Sequence, residues 1–259
     1  MLLAIDVGNT NITVGVFEGS ELRTSFRLTT KESQTSDEYG MQLRGLIREK
    51  FEVKSLEMPK ISGCIISSVV PNTMHSLTSA VIKYFDVKPV IVGPGLKTGI
   101  HIRIDNPKEM GADKITDIVA AHSLYEGNLI VIDFGTATTY DVVDGNGVYY
   151  GGVIQPGLSI SAQALSQRAA KLPNIELAIP KSIIAKNTVD AMQAGVVYGY
   201  IGSCRYLIEE LKKKSGLDNV RVAATGGLGR LISHELPEID FYDPQLTLKG
   251  LEILYRKNR

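Results

Sequence analysis

Two short stretches of this sequence combine residue types that can hold a phosphate group. Asp6-Val7-Gly8-Asn9-Thr10 and Asp133-Phe134-Gly135-Thr136-Ala137-Thr138 each place an aspartate two positions before a glycine, then follow it with hydroxyl or amide side chains. Glycine in a tight turn lets backbone N–H groups approach an anion closely, and Thr136 and Thr138, like Thr10, add hydroxyl donors. An aspartate at a strand end can hold Mg2+ or its waters, which neutralises the charge of a bound nucleotide. One Asp-x-Gly turn is ordinary hairpin chemistry and needs no ligand. Two in corresponding places read as a nucleotide clamp.

Other candidates carry less by themselves. Thr225-Gly226-Gly227-Leu228-Gly229 follows a strand-type run and opens a helix, where backbone can lie against a base or ribose. An ordinary strand-to-helix turn would have the same sequence. Asp113, after Gly111-Ala112, reads from spacing alone as an aspartate stabilised at a helix start. Asp105, before Asn106-Pro107, suits a turn cap and a site residue equally and is taken as structural by default. Gly93-Pro94-Gly95-Leu96-Lys97-Thr98 has the look of a P-loop without its full spacing. No G-x-G-x-x-G opens a helix after the first strand, which argues against a dinucleotide fold. The histidines at 75, 101, 122 and 234 are not spaced as metal ligands.

The elements that must position these residues form a repeat. LLAIDVGNT at 2–10 and LIVIDFGTA at 129–137 lie 127 positions apart, about half of the 259 residues. Each is an apolar strand that turns at Asp-x-Gly into a β-branched stretch, closed by Glu18-Gly19 in one copy and Asp144-Gly145-Asn146-Gly147 in the other. Helical spacing predicts a helix over Ser36–Phe51, introduced by Asp37 and Glu38, and others over Asn72–Tyr84 and Thr188–Lys213. Strands are predicted at Ile61–Val70, running into a Ser-Ser loop, at Pro89–Val92 and at Val220–Ala224, with a closing helix after Gly229. Hairpins first and alternating helices later give an α/β, mixed-sheet architecture in two related half-domains around a cleft. The boundary is predicted within a helix near 111–126, dividing the chain into 1–115 and 116–259.

Composition narrows the partners. The 28 basic and 28 acidic side chains cancel, which argues against nucleic acid or an anionic membrane as the main partner. No apolar run reaches the roughly 18 residues of a membrane span. The first ten residues lack a basic leader and contain Asp6, so they do not read as a secretory signal. Two cysteines, Cys64 and Cys204, are too few for a disulfide scaffold or a zinc cluster and suit a reducing cytosol.

Taken in order, the loops resemble the actin, sugar kinase and Hsp70 superfamily, whose ribonuclease H-like domains are duplicated around a nucleotide cleft. Within it, D-V-G-N-T at 6–10, S-S-V-V-P at 67–71, D-N-P at 105–107, G-A-D-K at 111–114, D-F-G-T-A-T-T at 133–139 and G-G-x-x-x-P-G at 151–157 resemble type III pantothenate kinases. The resemblance runs from Ile5 to about Gly229. It implies ATP-dependent phosphorylation of pantothenate, a phosphotransfer to an alcohol and the first step of coenzyme A synthesis. It further implies a cytoplasmic homodimer that uses Mg2+ and a monovalent cation, K+ or NH4+. Carried over, Asp6, Val7, Gly8, Asn9, Thr10, Asn11, Ile12 and Thr13 correspond to the ATP phosphate loop, and Thr136 to a further ATP contact. Asp113 corresponds to the proton acceptor. Gly111, Ala112, Asp113 and Lys114, with Thr188, correspond to the pantothenate site, and Asp133 to the monovalent-cation ligand. Asp6 is the expected Mg2+ residue, acting through water. Lys114 departs from the family's usual arginine, losing the planar fork that binds a carboxylate in bidentate fashion. Two alternatives are a superfamily kinase for a sugar, acetate or polyphosphate, and a nucleotide-binding regulatory factor without turnover, since some relatives were first named as transcriptional accessory factors.

Overall fold

The computed structural model of the protein describes residues 1–54 and 57–259. The chain divides into two compact units. The first comprises Met1–Gly99, Asn106–Ala120 and Gln245–Arg259, and the second Ile100–Asp105 and Ala121–Pro244.

The first unit is built on β1 (Leu2–Val7), β2 (Asn11–Glu18) and β3 (Glu21–Thr29), followed by helix α1 (Ser36–Glu52), β4 (Gly63–Ser68), α2 (Pro71–Phe85) and β5 (Val90–Ile91). The sheet order is β3-β2-β1-β4-β5, antiparallel along the hairpins and parallel from β1 to β5. Strand periodicity of two sends Leu3, Ile5 and Val7 to one face, where they meet Leu43 and Ile47 of α1 and Leu77 of α2 in a core shielded from water. Asp6 therefore points to the opposite face. α1 starts at a capping box, in which Thr35 and Glu38 satisfy each other's backbone N–H groups.

The second unit repeats the plan. After β6 (His101–Ile102) and α3 (Ala112–Leu124, whose last turn belongs here), it has β7 (Leu129–Phe134), β8 (Ala137–Val143), β9 (Val148–Pro156), α4 (Leu158–Arg168), α5 (Thr188–Lys214), β10 (Arg221–Thr225), α6 (Gly229–Ser233) and β11 (Phe241–Tyr242). Its order is β11-β10-β7-β8-β9-β6, the first sheet's order with β6 added beside β9. Both hairpins also share an irregularity in register, at Val16/Phe17 and at Val142/Val143. Ile130, Ile132 and Phe134 of β7 face Val197, Ile201 and Cys204 of α5.

Two elements differ from the sequence reading. The helix expected after Gly229 is only five residues long. The long closing helix is α7 (Leu246–Lys257), which returns to the first unit and covers the face of the sheet that carries Asp6. Gly15 of β2 and Gly63 of β4 make room there for Leu248 and Tyr255. Ser67 and Ser68, read as a loop, are the last residues of β4. Among the described residues no helix is long and apolar enough to cross a membrane.

Candidate active site

In the first unit the chemistry gathers where β1 and β4 end. Asp6 is the penultimate residue of β1, and its half-buried carboxylate is flanked in register by Thr13 of β2 and Ser67 of β4. The turn beyond it is tightly held. Gly8 N–H donates to the Asn11 carbonyl at 3.0 Å, and Thr30 N–H donates to the Thr10 carbonyl at 3.0 Å. The Thr30 hydroxyl donates to the Gly8 carbonyl at 2.7 Å. Asn9, Thr10 and Asn11 remain exposed, so the turn presents amide and hydroxyl donors from a rigid frame. Val7 and Ile12 are fully buried, which limits them to backbone contributions.

Asp113 lies in the first turn of α3, an end that favours negative charge. Its Oδ1 accepts the Lys114 N–H at 2.7 Å. The carboxylate folds back over Gly111, where a β-carbon would collide with Asp113 Oδ1; the Gly111 site also borders Val69 in the loop after β4. Val69 in turn donates its N–H to the Val7 carbonyl at 3.1 Å. The stretch Gly111–Lys114 and the end of β4 are thus neighbours within one unit. All four of these residues are partly open to solvent.

In the second unit Asp133 is the penultimate residue of β7. It lies in register with Thr139 of β8 and Thr225 of β10. Two glycines crowd it, because a β-carbon on Gly226 would sit 2.6 Å from Asp133 Oδ1 and one on Gly135 would sit 3.1 Å from Oδ2. Gly226 has φ +98°, and Tyr242 donates to its carbonyl at 3.1 Å. Thr136 is exposed at the turn. Thr188 is exposed at the start of α5, behind an Asn187 cap whose side chain accepts from Asp190 N–H at 2.9 Å.

One expected donor faces the wrong way. Thr138 is paired with Phe134, not with Asp133, so strand alternation turns it into the core. Its hydroxyl bonds Tyr200 of α5. Thr139 is the hydroxyl residue beside Asp133. Around Tyr200 a neutral network ties β8 and β9 to α5: Tyr140 donates to Cys204 Sγ at 3.0 Å, Gln155 donates to Tyr140 at 2.7 Å, and Ser203 donates to Gln155 at 2.8 Å. Burial raises the Tyr140, Tyr200 and Cys204 groups above their usual ranges, which favours the neutral phenols and the thiol over the thiolate. The glycines at 226 and 229 answer to internal packing as well: Gly229 leaves space for the Tyr242 and Phe134 rings. The Gly-Pro-Gly loop is not a P-loop, since no helix follows it. Asn258 holds its Lys97 backbone through both N–H and carbonyl, at 2.8 and 2.9 Å.

Both carboxylates stand among oxygen groups, the donor set suited to hard cations such as Mg2+ and K+. Among the described residues no three His, Cys, Asp or Glu side chains gather as a metal cage. A single carboxylate at Asp6 would suit a hydrated Mg2+, an ion that usually keeps several of its waters.

Known proteins resemble this chain over nearly its whole length. The profile of the type III pantothenate kinase family matches residues 2–210. A type III pantothenate kinase of Agathobacter rectalis is 54% identical over 257 residues, covering 99% of this chain and 97% of that protein. One from Listeria monocytogenes is 50% identical over 259 residues, covering 100% and 98%. Among solved structures, a protein described as a Baf family transcriptional activator from Campylobacter jejuni matches with a TM-score of 0.62 at 19% identity, covering 99% of this chain and 98% of that one. The ethanolamine utilization protein EutJ from Carboxydothermus hydrogenoformans matches with a TM-score of 0.54 at 14% identity, covering 97% and 89%. At those identities the two structures speak for the fold alone.

Proposed function

The chain belongs to the type III pantothenate kinase family, and on that premise we propose that it transfers the γ-phosphoryl group of ATP to the primary hydroxyl of pantothenate. The product is 4′-phosphopantothenate, and the step opens coenzyme A synthesis. The observation that carries the assignment of roles is the Asp113 carboxylate, folded over Gly111 at the start of α3 in the unit that also holds Asp6.

Phosphoryl transfer depends on positioning and charge neutralisation more than on covalent chemistry. The amides and hydroxyls of Asp6–Thr13 hold the ATP phosphates, with Val7 and Ile12 acting through backbone groups. Thr136 makes a further contact with ATP. Mg2+, bound through water to Asp6, neutralises phosphate charge when present. Asp133 is the ligand for K+ or NH4+. Gly111, Ala112, Lys114 and Thr188 bind pantothenate, and Asp113 takes the hydroxyl proton as the oxygen attacks phosphorus. Residues 1–115 and 116–259 are read as the two copies of a duplicated unit. The enzyme works in the cytoplasm as a homodimer. The outward side of α5 supports that state, because Gly195, Gly199 and Gly202 have open space above them and Tyr206 beyond them is 63% exposed.

The test is phosphate transfer from ATP in Mg2+, with pantothenate, glucose and acetate as separate acceptors and with Na+, K+ or NH4+ as the cation. Product should form from pantothenate alone and depend on K+ or NH4+. Transfer to glucose or acetate instead would favour the related-kinase reading, and no transfer to any acceptor under any cation would leave the regulatory one. Lys114 offers a second check. If its ammonium meets the pantothenate carboxylate at one point, Lys114→Arg supplies a bidentate fork and should lower KM for pantothenate about 3–10-fold with kcat little changed. An unchanged KM would remove Lys114 from the carboxylate contact.

A further inference from the structure

Ser67 lies on the same face of the first sheet as Asp6, one strand away, in parallel register with it. It is fully buried, and its hydroxyl has no hydrogen-bond partner among the described residues. A buried hydroxyl left without a partner destabilises the fold, and alanine would fill the same space without that penalty. Such a group calls for a physical reason, and a bound ion or water is one of them.

The arrangement also occurs twice. In the first sheet Thr13, Asp6 and Ser67 form a row across β2, β1 and β4. In the second sheet Thr139, Asp133 and Thr225 form the same row across β8, β7 and β10, with Thr225 1% exposed. Strand alternation puts each row on the face opposite the cores formed with α1 and α2 or with α5. Both rows lie at the carboxyl ends of parallel strands, where α/β sheets bind ligands. A hydroxyl on each side of a carboxylate can fix its orientation and can both donate to and accept from a water bound to it.

We propose that Ser67 is a positioning residue for the magnesium-bound nucleotide, acting through the Asp6 carboxylate and the water that it holds. This rests on the reading of Asp6 as the Mg2+ residue. Ser67 contributes nothing to the folded protein without nucleotide. Its hydroxyl finds a partner only when the cation and phosphates arrive and fix Asp6 and its water in one orientation.

Three proteins test this: wild type, Ser67→Ala and Asp6→Asn. Thermal unfolding is measured without ligand, binding of a non-hydrolysable ATP analogue is measured by calorimetry across a Mg2+ titration, and initial rates are measured across the same titration. Ser67→Ala should melt at or above the wild-type temperature without ligand. Its affinity for the analogue in Mg2+ should nevertheless fall about tenfold or more, the size expected for a hydrogen bond to a charged group. The half-saturating Mg2+ concentration should rise, while KM for pantothenate stays unchanged. A purely structural serine would shift melting and leave the Mg2+ dependence alone. If Asp6→Asn loses Mg2+-dependent binding and Ser67→Ala keeps it at the wild-type level, the proposal is overturned and the reading of Asp6 stands. If Asp6→Asn also binds as wild type, that reading fails and the proposal falls with it.

Discussion

Replacing Asp113 by asparagine is expected to lower kcat for pantothenate phosphorylation by about 10²–10⁴-fold, the usual loss on removing a general base. The variant should remain folded. An asparagine oxygen can still accept the Lys114 N–H that Asp113 Oδ1 now accepts at 2.7 Å, so the first turn of α3 keeps its local bond. The side chain is also nearly the same volume, and Gly111 still leaves room for it. What is lost is proton acceptance during the attack on phosphorus. KM for ATP should therefore change little while kcat falls. Steady-state rates beside a melting curve make the check. A folded variant with near-wild-type turnover would remove Asp113 from the chemistry.

Gly226→Ala should do comparable damage by another route. The residue has φ +98°, a backbone conformation that side chains other than glycine rarely adopt. A β-carbon there would also lie 2.5 Å from the Phe134 backbone nitrogen and 2.6 Å from Asp133 Oδ1. Backbone cannot yield as a surface side chain does, so the strain falls on β7 and on the carboxylate. The expected loss of stability is about 3 kcal/mol or more, a fall in Tm of roughly 6–12 °C for a chain of this size. Stimulation by K+ or NH4+ should decline as Asp133 is displaced. Gly45→Ala is the matched control: it is exposed in α1 with open space around it, and alanine there should be neutral or stabilising by up to about 1 kcal/mol. A Gly226→Ala protein with wild-type Tm and cation response would show that the close packing at Asp133 is dispensable.

Much of the fold was legible because its signals are local. Asp37, Glu38 and apolar spacing place the start of α1 at Ser36 in the sequence, and the structure begins it there behind the Thr35 cap. The Asp-x-Gly turns mark the ends of β1 and β7, and the repeat between them anticipates two sheets of matching order. Where the reading slipped, the deciding contact was remote. Residues 245–259 gave no sign of returning to the first unit, because that depends on space left by Gly15 and Gly63, more than 180 positions away. Thr138 seemed a phosphate donor by proximity to Gly135. Its orientation follows from pairing with Phe134, and the turn before β8 is one residue shorter than its counterpart before β2. A single residue of register exchanges the two faces of a strand.

The sequence alone therefore determined the duplicated plan, the family, and which aspartates, glycines and hydroxyls are available for phosphate chemistry. Those depend on residue type and on spacing within a few positions. Tertiary structure alone decided which of these groups share a face. It set Ser67 and Thr13 beside Asp6, set Thr139 and Thr225 beside Asp133, and turned Thr138 toward Tyr200. The reason is that a side chain's neighbours across a sheet come from strands distant in sequence, matched by register, and register is a property of the assembled sheet rather than of any one strand.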